Sequence, residues 1–244
     1  MILRTHQLKH TFRNGSTALA GVSFSLNAGE CAAVVGPNGA GKTTLFLRLC
    51  GALAGTPGQI SVNGLDPAIA EQRKKLPAEI GVVFQNPDDQ LFAATLLDDV
   101  AFGPLNMGEQ PEAAKAKAIE SLNSLGLNGM EARSPQRLSG GEKRRAALAG
   151  VLAMHPGILL LDEPTMFLDP RGRREFMRLL RTLPGTHLIA THDLDLVWDC
   201  CPRALVLNEG RLIADGPTRE LLSNAALMEA NGLEVPAKAQ ANQF

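Results

Sequence analysis

Eight consecutive residues, Gly36-Pro37-Asn38-Gly39-Ala40-Gly41-Lys42-Thr43, fit the pattern G-x-x-x-x-G-K-[ST], which wraps a chain of phosphates. Glycines let backbone N–H groups close around phosphate oxygens with no Cβ in the way, and a helix starting at the loop's end adds its positive dipole. In such a loop Lys42 reaches the β- and γ-phosphates and the Thr43 hydroxyl binds Mg²⁺. A second signal is Ile158-Leu159-Leu160-Leu161-Asp162-Glu163, an apolar strand that ends in two carboxylates. Neighbours on a strand point to opposite faces. Asp162 therefore suits the Mg²⁺ shell and Glu163 suits polarising an attacking water, a division of labour fit for phosphoryl transfer. Alone, such a pair is a common solvated strand exit; beside a phosphate loop the chemical reading prevails.

Three weaker signals gain weight from these two. Ser139-Gly140-Gly141-Glu142 reads as a capping box, S-x-x-E before an apolar helix. Yet a helical glycine costs roughly 1 kcal/mol relative to alanine, so two in one first turn suit a backbone that something approaches. A phosphate docking on the exposed N–H groups of that helix end accounts for both. His192, just after an apolar run and Thr191, is placed to hydrogen-bond a γ-phosphate. Gln85, ending Val82-Val83-Phe84, offers a side-chain oxygen to Mg²⁺ and an amide to water.

These groups act together only if the fold gathers them at one edge. Gly and Pro punctuation cuts the chain into short apolar runs followed by helical patterns, the alternation of a parallel sheet covered by helices. Buried strands are predicted over residues 31–35, 80–84, 158–161 and 187–190, and a helix through 44–49. Helix formers dominate 112–125 and 142–154, so residues from about 90 to 155 are predicted to form a helical insertion. Segments 19–26 and 59–62 alternate as an antiparallel edge sheet would. Ligands of open α/β sheets bind outside the carboxyl ends of the strands, where the loop, the acidic pair and His192 all fall. From Ser223 to residue 244 the chain is Ala/Asn/Gln-rich and is predicted to be a poorly ordered tail.

Composition excludes several classes. The 244 residues carry 24 Lys+Arg against 25 Asp+Glu, a formal net charge of -1, which removes the usual electrostatic argument for nucleic acid or an anionic membrane surface as partner. With 45% hydrophobic and 20% charged residues the chain is globular rather than disordered. No stretch approaches the roughly 18 apolar residues needed to cross a bilayer, and the start, Met1-Ile2-Leu3-Arg4, turns polar too soon for a secretory signal. A cytoplasmic location is expected. Cys31, Cys50, Cys200 and Cys201 form no C-x-x-C knuckle and are read as small buried hydrophobes.

Taken together, the residues resemble the ATP-binding cassette (ABC) transporter ATPases, over residues 3–216 and in the family's order. The phosphate loop matches the Walker A motif, Gln85 the Q-loop, Leu138-Ser139-Gly140-Gly141-Glu142 the cassette signature and residues 158–163 the Walker B strand. Leu168-Asp169 matches the D-loop and His192 the switch histidine. A finer match, Phe84-Gln85-Asn86-Pro87-Asp88-Asp89-Gln90-Leu91-Phe92 followed by Asp99-Val100-Ala101-Phe102-Gly103-Pro104-Leu105-Asn106, is similar to the energy-coupling-factor subgroup, above all to cobalt and nickel importer ATPases.

The resemblance implies an α/β fold: a P-loop NTPase (RecA-like) core with a parallel sheet, an N-terminal antiparallel β-subdomain and an inserted α-helical subdomain. Residues 1–222 would be the nucleotide-binding domain. ATP and Mg²⁺ are the implied cofactors. Glu163, His192 and Lys42 would be catalytic, and Thr43, Gln85 and Asp162 would hold the metal. ATP would be held by residues 36–44 (Gly36 through Thr43, and Thr44), Gln85 and the signature's Ser139, Gly140 and Gly141. With no tyrosine in the chain, Phe12 is the candidate for stacking on adenine. One copy of each motif implies a homodimer in which the signature of one chain completes the site of the other. A transmembrane coupling subunit, docking along 85–102, and a substrate-binding membrane subunit would complete a peripheral assembly on the cytoplasmic face of the membrane. The expected function is ATP hydrolysis powering import of cobalt or nickel, with a vitamin as the alternative cargo.

Two other functions fit the chain less well. A soluble cassette ATPase acting on DNA or ribosomes carries a long coiled-coil insertion or two cassettes, and this chain has neither, nor a basic face. A regulatory subunit with negligible hydrolysis is opposed by the presence of both Glu163 and His192. Two departures from the family pattern stand out: Glu142 where glutamine is usual, and the large pair Met166-Phe167 before the D-loop, where small residues are common.

Overall fold

The computed structural model describes residues 1–241. Two sheets share one body. β1 (Leu3–Thr11), β2 (Thr17–Leu26) and β4 (Ile60–Val62) pair antiparallel in the order β2-β1-β4. The main sheet holds β3 (Cys31–Val35), β5 (Ile80–Val83), β6 (Ile158–Asp162), β7 (Thr186–Thr191), β8 (Arg203–Asn208) and β9 (Arg211–Pro217), in the order β5-β6-β7-β3-β8-β9. All its pairings are parallel except β9 against β8.

Alternation along the strands divides the apolar side chains between two cores. Ala32, Val34, Leu160 and Leu188 face the antiparallel sheet and Leu45, Phe46 and Leu49 of α1 (Lys42–Leu49). Ala33, Val35, Leu161 and Ile189 face the helical side. Burial of each large aliphatic side chain contributes about 1.5–3 kcal/mol, so both faces of the sheet are fixed in register. After the short α2 (Ala70–Arg73), the inserted region supplies α3 (Leu96–Asn106), α4 (Pro111–Ser124) and α5 (Gly140–Leu152). The fold expected from the sequence is the fold observed, antiparallel subdomain and helical insertion included.

The helix α3 contains Gly103 and Pro104, which hide it from propensity. A Cβ on Gly103 would lie 2.6 Å from the sulfur of Met154, so any larger residue there would displace the Met154 side chain. Past β6 the chain adds α6 (Pro170–Thr182) and α7 (Leu194–Cys200), which pack Phe176, Leu180, Leu196 and Trp198 into the helical-side core.

The expectation of a poorly ordered tail is corrected. Beyond α8 (Thr218–Ser223), α9 (Ala225–Ala230) and α10 (Ala237–Ala241) follow, and Met228, Leu233 and Ala239 are buried in the same core as Leu196 and Trp198. Asn224 caps α9 by accepting a hydrogen bond from the Leu227 N–H at 3.1 Å. A few well-placed apolar residues suffice to dock a segment whose average composition is polar. The last part of that expected tail, 242–244, lies outside the described residues.

Candidate nucleotide-binding site

The register of the parallel strands brings the candidate groups together. Val83 lies beside Leu161, Asp162 beside Ala190 and Val35 beside Thr191. Gln85, Glu163, His192 and the phosphate loop therefore leave the sheet at one edge, around a cavity of about 700 Å³. That size suits a small-molecule ligand.

The loop from β3 to α1 is shaped by its neighbours. Gly41 caps α1 with φ of 105°, and a Cβ on it would lie 2.4 Å from the Ala18 carbonyl oxygen. At Gly36 a Cβ would lie 2.1 Å from the Leu207 carbonyl oxygen. No side chain fits at either position. Lys42 Nζ donates to the carbonyl oxygens of Gly36 at 2.7 Å and Pro37 at 3.1 Å, which holds the ammonium inside the curl of the loop. Burial pulls its pKa below the ordinary lysine value, against the opposing pull of Glu163 and Asp162.

Thr43 Oγ1 donates to Asp162 Oδ2 at 2.9 Å across the width of β7. Asp162 is 2% exposed, and its Oδ1 is buried without a hydrogen-bond partner. Burial raises its pKa, opposed by the Thr43 bond. An unpartnered carboxylate oxygen next to a hydroxyl is the donor set of a hard cation, so these residues fit Mg²⁺.

Glu163 is buried at φ of 46°, a conformation that costs a residue with a side chain on the order of 1–3 kcal/mol. Thr191 Oγ1 at 2.9 Å and the His192 N–H at 3.1 Å donate to its carboxylate, and His192 Nδ1 lies 2.9 Å from Oε1. The next residue, Asp193, caps α7 and takes a bidentate contact from Arg173 at 2.7 and 2.6 Å, anchoring the turn that carries His192.

Phe12, Asn38, Gly39, Ala40, Gly41, Lys42, Thr43, Thr44, Gln85, Glu163 and His192 line the cavity. Gly36 and Pro37 hold Lys42 from behind, and Asp162 stands behind Thr43. Phe12 is 41% exposed at the rim, with its ring edge-on to His10. Two contributions escaped the sequence reading: the hairpin residues Ser16–Ala18, and Met166, whose sulfur accepts from the Gln85 side-chain amide.

Ser139, Gly140 and Gly141 are absent from that cavity. They open on a second one of about 410 Å³, beside Phe167 and Asp169. The capping box is real: Ser139 N–H and Oγ both donate to Glu142 Oε2 at 2.7 Å, and Glu142 N–H donates back to Ser139 Oγ at 3.4 Å. That accounts for an ionised carboxylate at residue 142, and the Ser139 bonds lower its pKa. It leaves the glycines unexplained. A Cβ on Gly141 would meet nothing within 4 Å, and one on Gly140 only the Phe167 carbonyl oxygen at 4.0 Å.

Comparison with known proteins supplies the family. Residues 19–166 fit the family model described as ABC transporter. The chain belongs to the ABC transporter ATPases. It is 43% identical to a protein of Methanococcus maripaludis named energy-coupling factor transporter ATP-binding protein EcfA, covering 96% of this chain and 86% of that one. Among solved structures it matches cbiO1 of Clostridium perfringens, part of the ABC transporter complex cbiONQ, with a TM-score of 0.82 and 36% identity over 100% of this chain and 99% of that chain. It also matches the ATP-binding cassette MJ0796, solved as a dimer in a post-hydrolysis state bound to ADP and Pi, with a TM-score of 0.79 and 26% identity over 88% of this chain and 98% of that chain. This ABC ATPase binds ATP, and the family resemblance read from its motifs is confirmed.

Proposed function

We propose that this ABC ATPase is the ATP-hydrolysing subunit of an energy-coupling-factor type importer and works as a homodimer. The observation that carries the reading is the division of its motifs between two faces. The strand edge collects the phosphate loop, Gln85, Glu163 and His192, while Ser139, Gly140 and Gly141 open elsewhere. A second copy related by a twofold axis would bring each signature turn over the other's phosphate loop. The dimer of the similar MJ0796 cassette supports that pairing.

In this reading Glu163 directs a water at the γ-phosphate, while Lys42 and His192 stabilise the charge that develops there. Thr43, Asp162 and Gln85 would hold Mg²⁺, which would supply Lewis-acid neutralisation of the phosphate oxygens. Phe12 stacks on the adenine. Among the described residues no helix is long and apolar enough to cross a membrane; the transport step is assigned in this reading to a separate membrane subunit.

The docking groove proposed for that subunit is the 750 Å³ cavity that α3, α5 and residues 90–92 form with the segment 63–79. Phe92 and Phe102 stand at it 62% and 49% exposed, edge-on at 4.8 Å. Asp99 fixes Phe92 there, accepting from the N–H groups of Phe92 at 3.0 Å and Ala93 at 2.9 Å. A transition metal ion, cobalt or nickel, is the proposed cargo, on the resemblance of segments 84–92 and 99–106. Cells lacking this chain should lose most energy-dependent uptake of labelled cobalt or nickel, regained with the wild-type chain and not with Glu163→Gln. Unchanged uptake of both ions would reject the cargo.

A further inference from the structure

We propose that Arg144 is a positioning residue that couples each chain's own nucleotide site to the signature turn it presents to its partner copy. The inference rests on the homodimer reading above. Arg144 lies on α5 just past Ser139-Gly140-Gly141 and is 1% exposed, among the largest fully buried side chains. Its Nη1 donates to the Phe84 carbonyl oxygen at 2.8 Å. Its Nη2 donates to the carbonyl oxygens of Gln85 at 2.6 Å and Met166 at 3.2 Å. Its Nε is buried without a partner.

Stability does not account for this arrangement. Burial pulls the guanidinium pKa down, with only the more distant charge of Asp162 opposing it. Its hydrogen-bond partners are main-chain carbonyls, dipoles rather than a full opposite charge. An apolar residue would continue the buried face of Ala147, Leu148 and Val151 without the desolvation cost. The fork joins three segments at one point: the signature helix, the exit of β5 and the turn after β6.

Both tethered turns touch the nucleotide cavity. Gln85 and Met166 line it, and the Met166 N–H donates to the Glu163 carbonyl oxygen at 3.1 Å. Lys143 and Asp88, paired at 2.6 Å, tie the same turn of α5 to the segment after Gln85. A movement of Gln85 or of the Glu163 turn toward bound nucleotide therefore pulls on the first turn of α5. That turn carries the glycines that face the other copy. Arginine's fixed fork transmits such a pull to two segments at once, which a lysine's single ammonium does not.

The test is ATP-driven pairing of Glu163→Gln, measured by sedimentation, with Arg144 intact, with Arg144→Lys and with Arg144→Met. Binding of a fluorescent ATP analogue is measured alongside, at protein concentrations where the chain is monomeric. The expected result is that both Arg144 variants need about tenfold more ATP to pair, a coupling of ordinary allosteric size, while monomer affinity stays within about twofold. Pairing at unchanged ATP in both variants overturns the proposal. So does a parallel loss of monomer affinity in both, because Arg144 would then only hold the fold. Failure of Glu163→Gln with Arg144 intact to pair at saturating ATP rejects the homodimer reading itself, and the inference with it.

Discussion

Nδ1 of His192 lies 2.9 Å from a carboxylate oxygen of Glu163, joining the ends of two neighbouring strands. The backbone sets this distance. The Glu163 N–H donates to the Ala190 carbonyl oxygen at 2.8 Å, and the φ of 46° at Glu163 turns its side chain back over β7. The two groups proposed to act on the γ-phosphate thus form one unit, held by Thr191 on one side and by the Asp193–Arg173 contact on the other.

A unit of this kind responds to mutation non-additively. Glu163→Gln should lower ATP turnover about 10²–10⁴-fold, the usual range for a general base, with ATP affinity nearly unchanged. His192→Ala should also lower it severely, and the double variant should be little worse than the poorer single one. Steady-state kinetics of the three variants decide it; fully multiplicative effects would mean the two residues act independently.

Gly141 offers a test in which stability and activity move in opposite directions. A methyl there meets nothing inside the chain. Gly141→Ala should raise the Tm by about 1–3 °C through helix propensity while lowering turnover at least about tenfold, since in the proposed homodimer the backbone N–H groups would face the partner's phosphate. Thermal melts and kinetics on the same preparation suffice. Full activity in a stabilised variant would show that nothing approaches this turn.

The capping carboxylate predicts a pH dependence with a definite sign. The Glu142 pKa lies below its ordinary 4.5 in the folded chain, so its ionised form stabilises α5 above that value, and the benefit fades as pH falls through the lowered pKa. Glu142→Gln keeps a capping-box side chain without the charge. The wild type should be the more stable by a few tenths to about 1 kcal/mol near pH 7, with the two converging below pH 4.5. Denaturant melts across that range test it, and a gap that widens in acid would contradict the assignment.

Docking through the aromatic pair should be separable from hydrolysis. Phe102→Asp sits on an exposed face of α3 and should leave the turnover of the isolated chain within about twofold, surface substitutions away from a site being mild. The same change should abolish co-purification with the membrane subunits. Retention of the complex would move the docking surface elsewhere.

Legibility in the sequence followed the strength of local signals. Residues 31–43 and 158–163 were readable because short β-rich apolar runs end in groups with one dominant chemistry. The helix Leu96–Asn106 was hidden by Gly103 and Pro104, of which only Gly103 is explained, by the approach of Met154. Order in the tail depends on Met228 and Leu233 finding an existing core, a tertiary effect with no local signature. Arg144 is the middle one of three consecutive basic residues. Its spacing with Ala147, Leu148 and Val151, at i+3, i+4 and i+7, was the available sign that it faces inward. Nothing in the sequence announced that Met166 would meet Gln85.

The central claim is that one copy's phosphate loop and the other's signature turn close on the same ATP. It is tested most directly by mixing two cysteine-free Glu163→Gln chains, one carrying Asn38→Cys and the other Ser139→Cys, and adding a short bifunctional thiol crosslinker. The account predicts a mixed crosslinked dimer that requires ATP and is lost when Lys42→Ala is added to the Asn38→Cys chain. Crosslinking that ignores ATP, or that joins Asn38→Cys to itself in preference to Ser139→Cys, would contradict it.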